Sequence, residues 1–144
     1  MNDLQKEILE IFKIVHRICE QNELSYYAVG GTAIGAVRHN GFIPWDDDMD
    51  IAMPIEDYCF FKRHAQELLP DGYEFYSYEN SPRYAHVFGK IINNNTTYIE
   101  ESNMPYPKAY SGVWIDIMPM SGVPAPSKER HHFLNKLRIL GSLD

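Results

Sequence analysis

Residues 41–54, GFIPWDDDMDIAMP, gather aspartates at 46, 47, 48 and 50 and then run directly into apolar sequence. Two carboxylates about 5 Å apart repel by roughly 3 kcal/mol at an effective dielectric near 20. A folded chain keeps such a cluster only where water solvates it, protons neutralise it or a cation sits in it. Alternate side chains of a strand share a face. In DMDIAM, which reads as a strand over 48–53, Asp48 and Asp50 therefore point one way while Met49, Ile51 and Met53 point the other. The apolar set anchors the strand in a core and aims both carboxylates at one spot, an arrangement suited to a hard divalent cation. A solvated acidic loop accounts for Asp46 and Asp47 but not for this alternation. A calcium loop fails because Ile51 stands where its sharp turn needs glycine, and Asp57 where it needs a bidentate glutamate.

The remaining periodicity supplies a frame for that strand. Leu4, Ile8, Ile11, Val15 and Ile18 recur at helical spacing, which predicts an amphipathic helix over 3–20 capped by Asn2 or Asp3. SYYAVG (25–30) reads as a short strand, TAIGAVRHN (32–40) as a helix, and GFIPW as a loop. Pro54 opens a further helix with Glu56 and Asp57 in its first turn and Tyr58, Phe61, Ala65 and Leu68 on its buried face. Strands are expected at 73–79, 84–92 and 112–119, with NNN (93–95) as a turn before TTYIEE, and a proline-bearing loop, SNMPYPKAY, before the last strand. Ser127 can cap a final helix that ends near Gly141. Helices and strands interleave, so the expectation is a mixed sheet with helices packed on it.

Two more features point to chemistry. AVGGT (28–32) ends a strand with paired glycines where a helix starts. Glycines admit close backbone approach, and a helix start offers unpaired N–H groups, so Gly30, Gly31 and Thr32 form a candidate phosphate cradle; a plain tight turn is the alternative. Asp116 lies inside the apolar run VWIDIMP and is expensive to bury unless paired or bound to a cation. Beside Asp48 and Asp50 on one sheet it becomes a third ligand or a base; alone it is a hydrogen-bonded core carboxylate. Arg38 is a candidate phosphate contact or the ion-pair partner of Asp46 or Asp47. Lys90 is the one base in an apolar strand, pointing into the cleft or sitting on a sheet edge. Trp45 either stacks on a ligand or belongs to the core. His131 and His132, as helix neighbours, face different directions and read as solvated.

Composition narrows the class. A net charge of −7 with no basic run disfavours nucleic acid and anionic membrane as partners. Cys19 and Cys59 show no motif spacing and fit core thiols in a reducing cytoplasm. No stretch approaches the roughly 20 apolar residues of a membrane span, and MNDLQKEILE is no signal peptide.

Gly-Gly before a helix, an Asp-x-Asp strand and a later strand aspartate resemble the signature of the nucleotidyltransferase superfamily. Within it, YYAVGGTAIGAVRHNGFIPWDDDMDIAMPIEDY (26–58) is similar to the hallmark of LicD proteins, bacterial phosphocholine transferases related to fukutin, and GVWIDIMPM (112–120) resembles the motif that follows. The similar stretch runs from about 24 to 120. The resemblance implies an α+β fold, a nucleotidyltransferase-like mixed sheet flanked by helices. It also implies a single domain over 1–144 with an N-terminal helix (1–23), a catalytic core (24–120) and a C-terminal helix (127–141). Family members usually continue further, so a C-terminal helical part is expected to be missing. The implied reaction is transfer of phosphocholine, or of a related alcohol phosphate such as ribitol phosphate, from CDP-choline or a similar donor. The acceptor is a hydroxyl of a cell-surface glycan, a lipopolysaccharide or teichoic acid precursor. Asp48 and Asp50 then hold Mg²⁺ or Mn²⁺, Asp116 completes the site, and Gly30, Gly31 and Thr32, with Arg38 and Lys90 as secondary candidates, contact donor phosphates. The expected location is the cytoplasm, at most peripheral to the inner face of the membrane. Competing readings are nucleotidyl transfer from an NTP, a sugar transferase of the Asp-x-Asp type, and a metal- and nucleotide-binding module without turnover. A sugar transferase places a longer nucleotide-binding region before its acidic motif than the one short strand found here.

Overall fold

The computed structural model describes residues 1–81, 84, 86–99 and 111–140, the last four by backbone alone. Residues 102–110, expected from the sequence as a loop, lie outside these residues, as do Glu100, Glu101 and Gly141. Among the described residues the elements follow in the order α1 (Asp3–Gln21), β1 (Tyr27–Ala28), α2 (Gly30–His39), β2 (Asp50–Pro54), α3 (Ile55–Leu68), β3 (Tyr73–Tyr76), β4 (Gly89–Asn93), β5 (Val113–Met120) and α4 (Lys128–Leu140). The strands form one sheet in the order β1-β2-β5-β4-β3. Only β2 and β5 run parallel, and the other three pairings are antiparallel. The fold is α+β, a mixed open sheet with helices packed on it. Among the described residues no helix is long and apolar enough to cross a membrane.

Period-two alternation decides what each face of the sheet meets. Ile51 and Met53 of β2, Phe75 of β3, Ile91 of β4, and Val113, Ile115 and Ile117 of β5 share one core with Ile8, Ile11, Val15 and Ile18 of α1 and Tyr58, Phe61 and Ala65 of α3. Each fully buried isoleucine in that seam contributes about 1.5–3 kcal/mol relative to an exposed one. Among the described residues the opposite face carries a small cluster of Tyr84, Ile92 and Trp114, with Tyr76 and Tyr98 packed against it. Asp50, Lys90 and Asp116 lie on it.

Several boundaries differ from the sequence expectation. The strand anticipated at 48–53 begins at Asp50, where the paired register with β5 starts; before it, the Met49 carbonyl still accepts a hydrogen bond from the Asp116 N–H at 2.9 Å, and Asp48 lies outside the strand. β1 shrinks to two residues, β3 stops at Tyr76, and β4 covers 89–93 where 84–92 was anticipated. Pro54 ends β2 and caps α3. The glycine pair falls inside α2 as its first two residues.

Gln5, which no periodicity or motif marks, ties the frame to the acidic run. It is 2% exposed on α1. Its backbone N–H donates to Asn2 Oδ1 at 2.8 Å, and the Asn2 N–H donates to Gln5 Oε1 at 3.2 Å. Its side-chain amide then donates to the carbonyls of Ile43 (3.1 Å) and Asp46 (2.9 Å). The loop that delivers the aspartates is thus clamped to the start of α1.

Candidate active site

Register places the charges. Asp50 stands opposite Asp116 across the parallel β2–β5 pair, and Asp116 stands opposite Lys90 across the antiparallel β5–β4 pair. Residues in one transverse row of a sheet share a face. The result is a carboxylate–carboxylate–ammonium row across three adjacent strands, on the face away from α1 and α3. The Lys90 ammonium lies 2.8 Å from Asp116 Oδ1 and donates a hydrogen bond to Oδ2 at 3.2 Å. Lys90 is 1% exposed and Asp116 is 7% exposed. β4 is flanked by β3 and β5, so the sheet-edge alternative for Lys90 does not hold. The ammonium also sits 4.3 Å from the ring centre of Trp114 and 5.7 Å from that of Phe88, contacts that favour a desolvated cation.

The Asp46–Asp48 run meets this row from the side. Carboxylate oxygens of Asp46, Asp47 and Asp48 lie within 4.8 Å of one another. Asp46 is half-buried, and its Oδ2 is buried with no hydrogen-bond partner among the described residues. Asp47 is exposed and accepts from the Tyr98 hydroxyl at 3.1 Å. Burial chiefly, and then the charges of Asp50, Asp46 and Asp47, push the Asp48 carboxyl above its usual range, with Lys90 acting the other way. Asp50 is raised by burial first, then by Asp116, with Lys90 again opposing and Asp46 adding. Asp48 therefore belongs electrostatically to both groups, and it links the Asp46–Asp47 pair to the Asp50–Asp116 pair. These oxygens fit a hard divalent cation: several carboxylates, one of them orphaned, crowd where they repel each other.

The start of α2 closes the site. Gly30 adopts φ +55°, where L side chains are strained, and an added Cβ would lie 3.1 Å from Asp50 Oδ2. A Cβ on Gly31 would come within 2.9 Å of Asp46 Oδ2. Both glycines thus let the positive end of the helix press against the carboxylates. The Thr32 hydroxyl accepts a hydrogen bond from the Asp50 N–H at 2.8 Å, and the Val29 N–H donates to the Asp50 carbonyl at 3.2 Å, which locks the helix start to β2.

The other candidates fall elsewhere. Arg38 is exposed in the last turn of α2, about 12 Å along the axis from Gly30. It forms no ion pair with Asp46 or Asp47 among the described residues. Trp45 is 82% exposed, so it is no core residue; its ring meets His39 edge-on at 6.5 Å. His131 and His132 are exposed. A groove of about 870 Å³ between α1 and the end of α2, lined by Leu9, Phe12, Phe42, Pro44 and Met49, includes none of the carboxylates. Charge, and not cavity size, marks the site.

Sequence reasoning passed over Asp46. The signal was present, since 46, 48 and 50 fall at alternate positions, but Asp46 precedes the strand and its approach to Gly31 depends on the Gln5 clamp.

The class that these features define is an α+β domain whose mixed sheet sets two strand carboxylates in register beside a helix that opens on Gly-Gly. The family described as LicD/FKTN/FKRP, nucleotidyltransferase domain matches residues 23–125, and the chain belongs to it. It is 31% identical over 142 residues to the lipopolysaccharide cholinephosphotransferase LicD of Haemophilus influenzae, an alignment covering 96% of this chain and 51% of that protein. It is also 35% identical over 52 residues to the human ribitol 5-phosphate transferase FKRP, covering 36% of this chain and 10% of that protein. The chain thus spans about half the length of the cholinephosphotransferase.

Proposed function

We propose that this domain transfers phosphocholine, or a related alcohol phosphate, from a CDP-linked donor to a hydroxyl of a glycan precursor on the cytoplasmic side of the membrane. The observation that carries the proposal is the Asp50–Asp116 row beside the Gly30–Gly31 helix start, in a chain of the LicD family. The similarity to a cholinephosphotransferase supports the choline donor, and the shorter similarity to a ribitol 5-phosphate transferase supports the wider class of alcohol phosphates.

Asp48 and Asp50, with Asp46 beside them, would hold Mg²⁺ or Mn²⁺. A bound divalent ion supplies charge neutralisation for the diphosphate and for the leaving CMP. The chain's own residues set the rest. β2 fixes the direction of the Asp50 carboxylate, because the backbone on both sides of it is tied to Thr32, Val29 and β5. The first turn of α2 offers N–H groups to a donor phosphate beside the carboxylates. In the reaction, the acceptor oxygen forms a bond to the phosphorus next to choline as the bond from that phosphorus to CMP breaks. The hydroxyl proton leaves to a base, a role open to Asp116 together with that of ligand.

The family also carries the name nucleotidyltransferase, so the competing reaction is NMP transfer from an NTP. Product identity separates the two. With Mg²⁺ and a glycan acceptor, CDP-choline should yield CMP and a choline-bearing product, and CTP should yield no pyrophosphate. Pyrophosphate release without CMP release would replace phosphocholine transfer with nucleotidyl transfer. Binding of CDP-choline without either product would reduce the domain to a binding module.

A further inference from the structure

Lys90 raises a question that the proposed reaction leaves open: how many divalent ions the site takes. Its ammonium reaches both oxygens of Asp116, at 2.8 and 3.2 Å, from a position that is 1% exposed. It cannot swing into solvent. The Trp114 ring lies 4.3 Å from the ammonium and the Phe88 ring 5.7 Å, so packing and charge hold it against Asp116. Its field also reaches Asp48 and Asp50, where it opposes the crowding of carboxylates.

A divalent ion bound through an Asp116 oxygen, at the usual distance of about 2.0–2.1 Å for Mg²⁺, would lie close to a buried ammonium on the same carboxylate. Like charges so placed, with little water between them, repel strongly. Asp46, Asp48 and Asp50 meet no such cation at contact distance among the described residues, and Asp46 Oδ2 has no partner there.

We propose that Lys90 is the resident cation of Asp116, so that the site takes a single divalent ion on the Asp46–Asp48–Asp50 side and leaves Asp116 outside the ligand set. The inference rests on the metal-dependent reading above and deepens it. Lys90 is a positioning residue: it holds the Asp116 carboxylate in the row opposite Asp50.

Mn²⁺ binding tests it without turnover, by paramagnetic resonance of free Mn²⁺ and by calorimetry on the whole chain. The parent should bind a single ion. The double variant Lys90→Met/Asp116→Asn removes both charges of the pair, avoids stranding either in the core, and leaves the local net charge unchanged. It should still bind a single ion, with Kd within about threefold of the parent. Lys90→Met alone removes a repelling charge and should tighten Mn²⁺ binding by about tenfold. A pair that served folding alone would shift the thermal midpoint of Lys90→Met without moving its Kd. Two ions on the parent, or loss of ion binding by the double variant, would make Asp116 a ligand and overturn the inference while the metal-dependent reading stands. Absence of Mn²⁺ binding by the parent, or binding that Asp50→Asn leaves unchanged, would instead bring down that reading and the inference with it.

Discussion

The two faces of the sheet are made by the same three central strands, yet they solve opposite problems. On β5, Ile115 and Ile117 are both 0% exposed in the core shared with α1 and α3, while Asp116 between them joins the charged row. On β4, Ile91 enters that core while Lys90 turns to Asp116. The helix-covered face needs only apolar volume, which many side chains supply. Charged groups on the other face need specific partners, because a buried charge is tolerated only when it is paired or bound. One face therefore tolerates approximate replacement and the other does not.

The sharpest break between them should come from Asp50→Asn. The substitution keeps side-chain size and every backbone contact of β2, but it removes a carboxylate from the proposed ion pocket. Release of CMP from CDP-choline should fall about thousandfold, several kcal/mol of transition-state stabilisation, while the fold is retained. Turnover within about tenfold of the parent, measured by nucleotide chromatography, would remove Asp50 from the chemistry and with it the contrast between the faces.

On the opposite face, Ile117→Ala should cost about 3 kcal/mol in urea unfolding by leaving a cavity beneath α1 and α3. A cost below about 1 kcal/mol would mean that the seam collapses onto the gap, and that the apolar face is looser than its burial suggests.

The smallest effect is a dependence of stability on pH and metal. Asp48 and Asp50 have folded-state values raised above their unfolded ones. Such groups hold their protons more tightly when folded, so their contribution to stability is present at low pH and is lost as pH rises through the raised values. Mg²⁺ should offset that loss. In millimolar Mg²⁺ the thermal midpoint should rise by about 3–5 °C near pH 7, and the rise should shrink as the pH falls through the raised values and the carboxyls take up protons. A rise that stays the same as the pH falls would place the ion away from these carboxylates.

Much of this was legible in the chain itself, for local reasons. Helical spacing marks α1 and α3, alternation marks β2, an apolar run broken by one aspartate marks β5, and four aspartates beside an apolar run announce a charge problem wherever they fold. Only the assembled sheet decided the rest. Register between β2, β5 and β4 turned Asp50, Asp116 and Lys90 into one row, and no pattern within any one strand encodes which residue its neighbour will face. Lys90 looks like an edge residue when its strand is read alone, and it became the buried partner of Asp116 because β3 covers the far side of β4. Asp46 entered the site because Gln5, forty-one residues away, holds its carbonyl. Periodicity is a property of neighbours along the chain, whereas a site is made by neighbours across it.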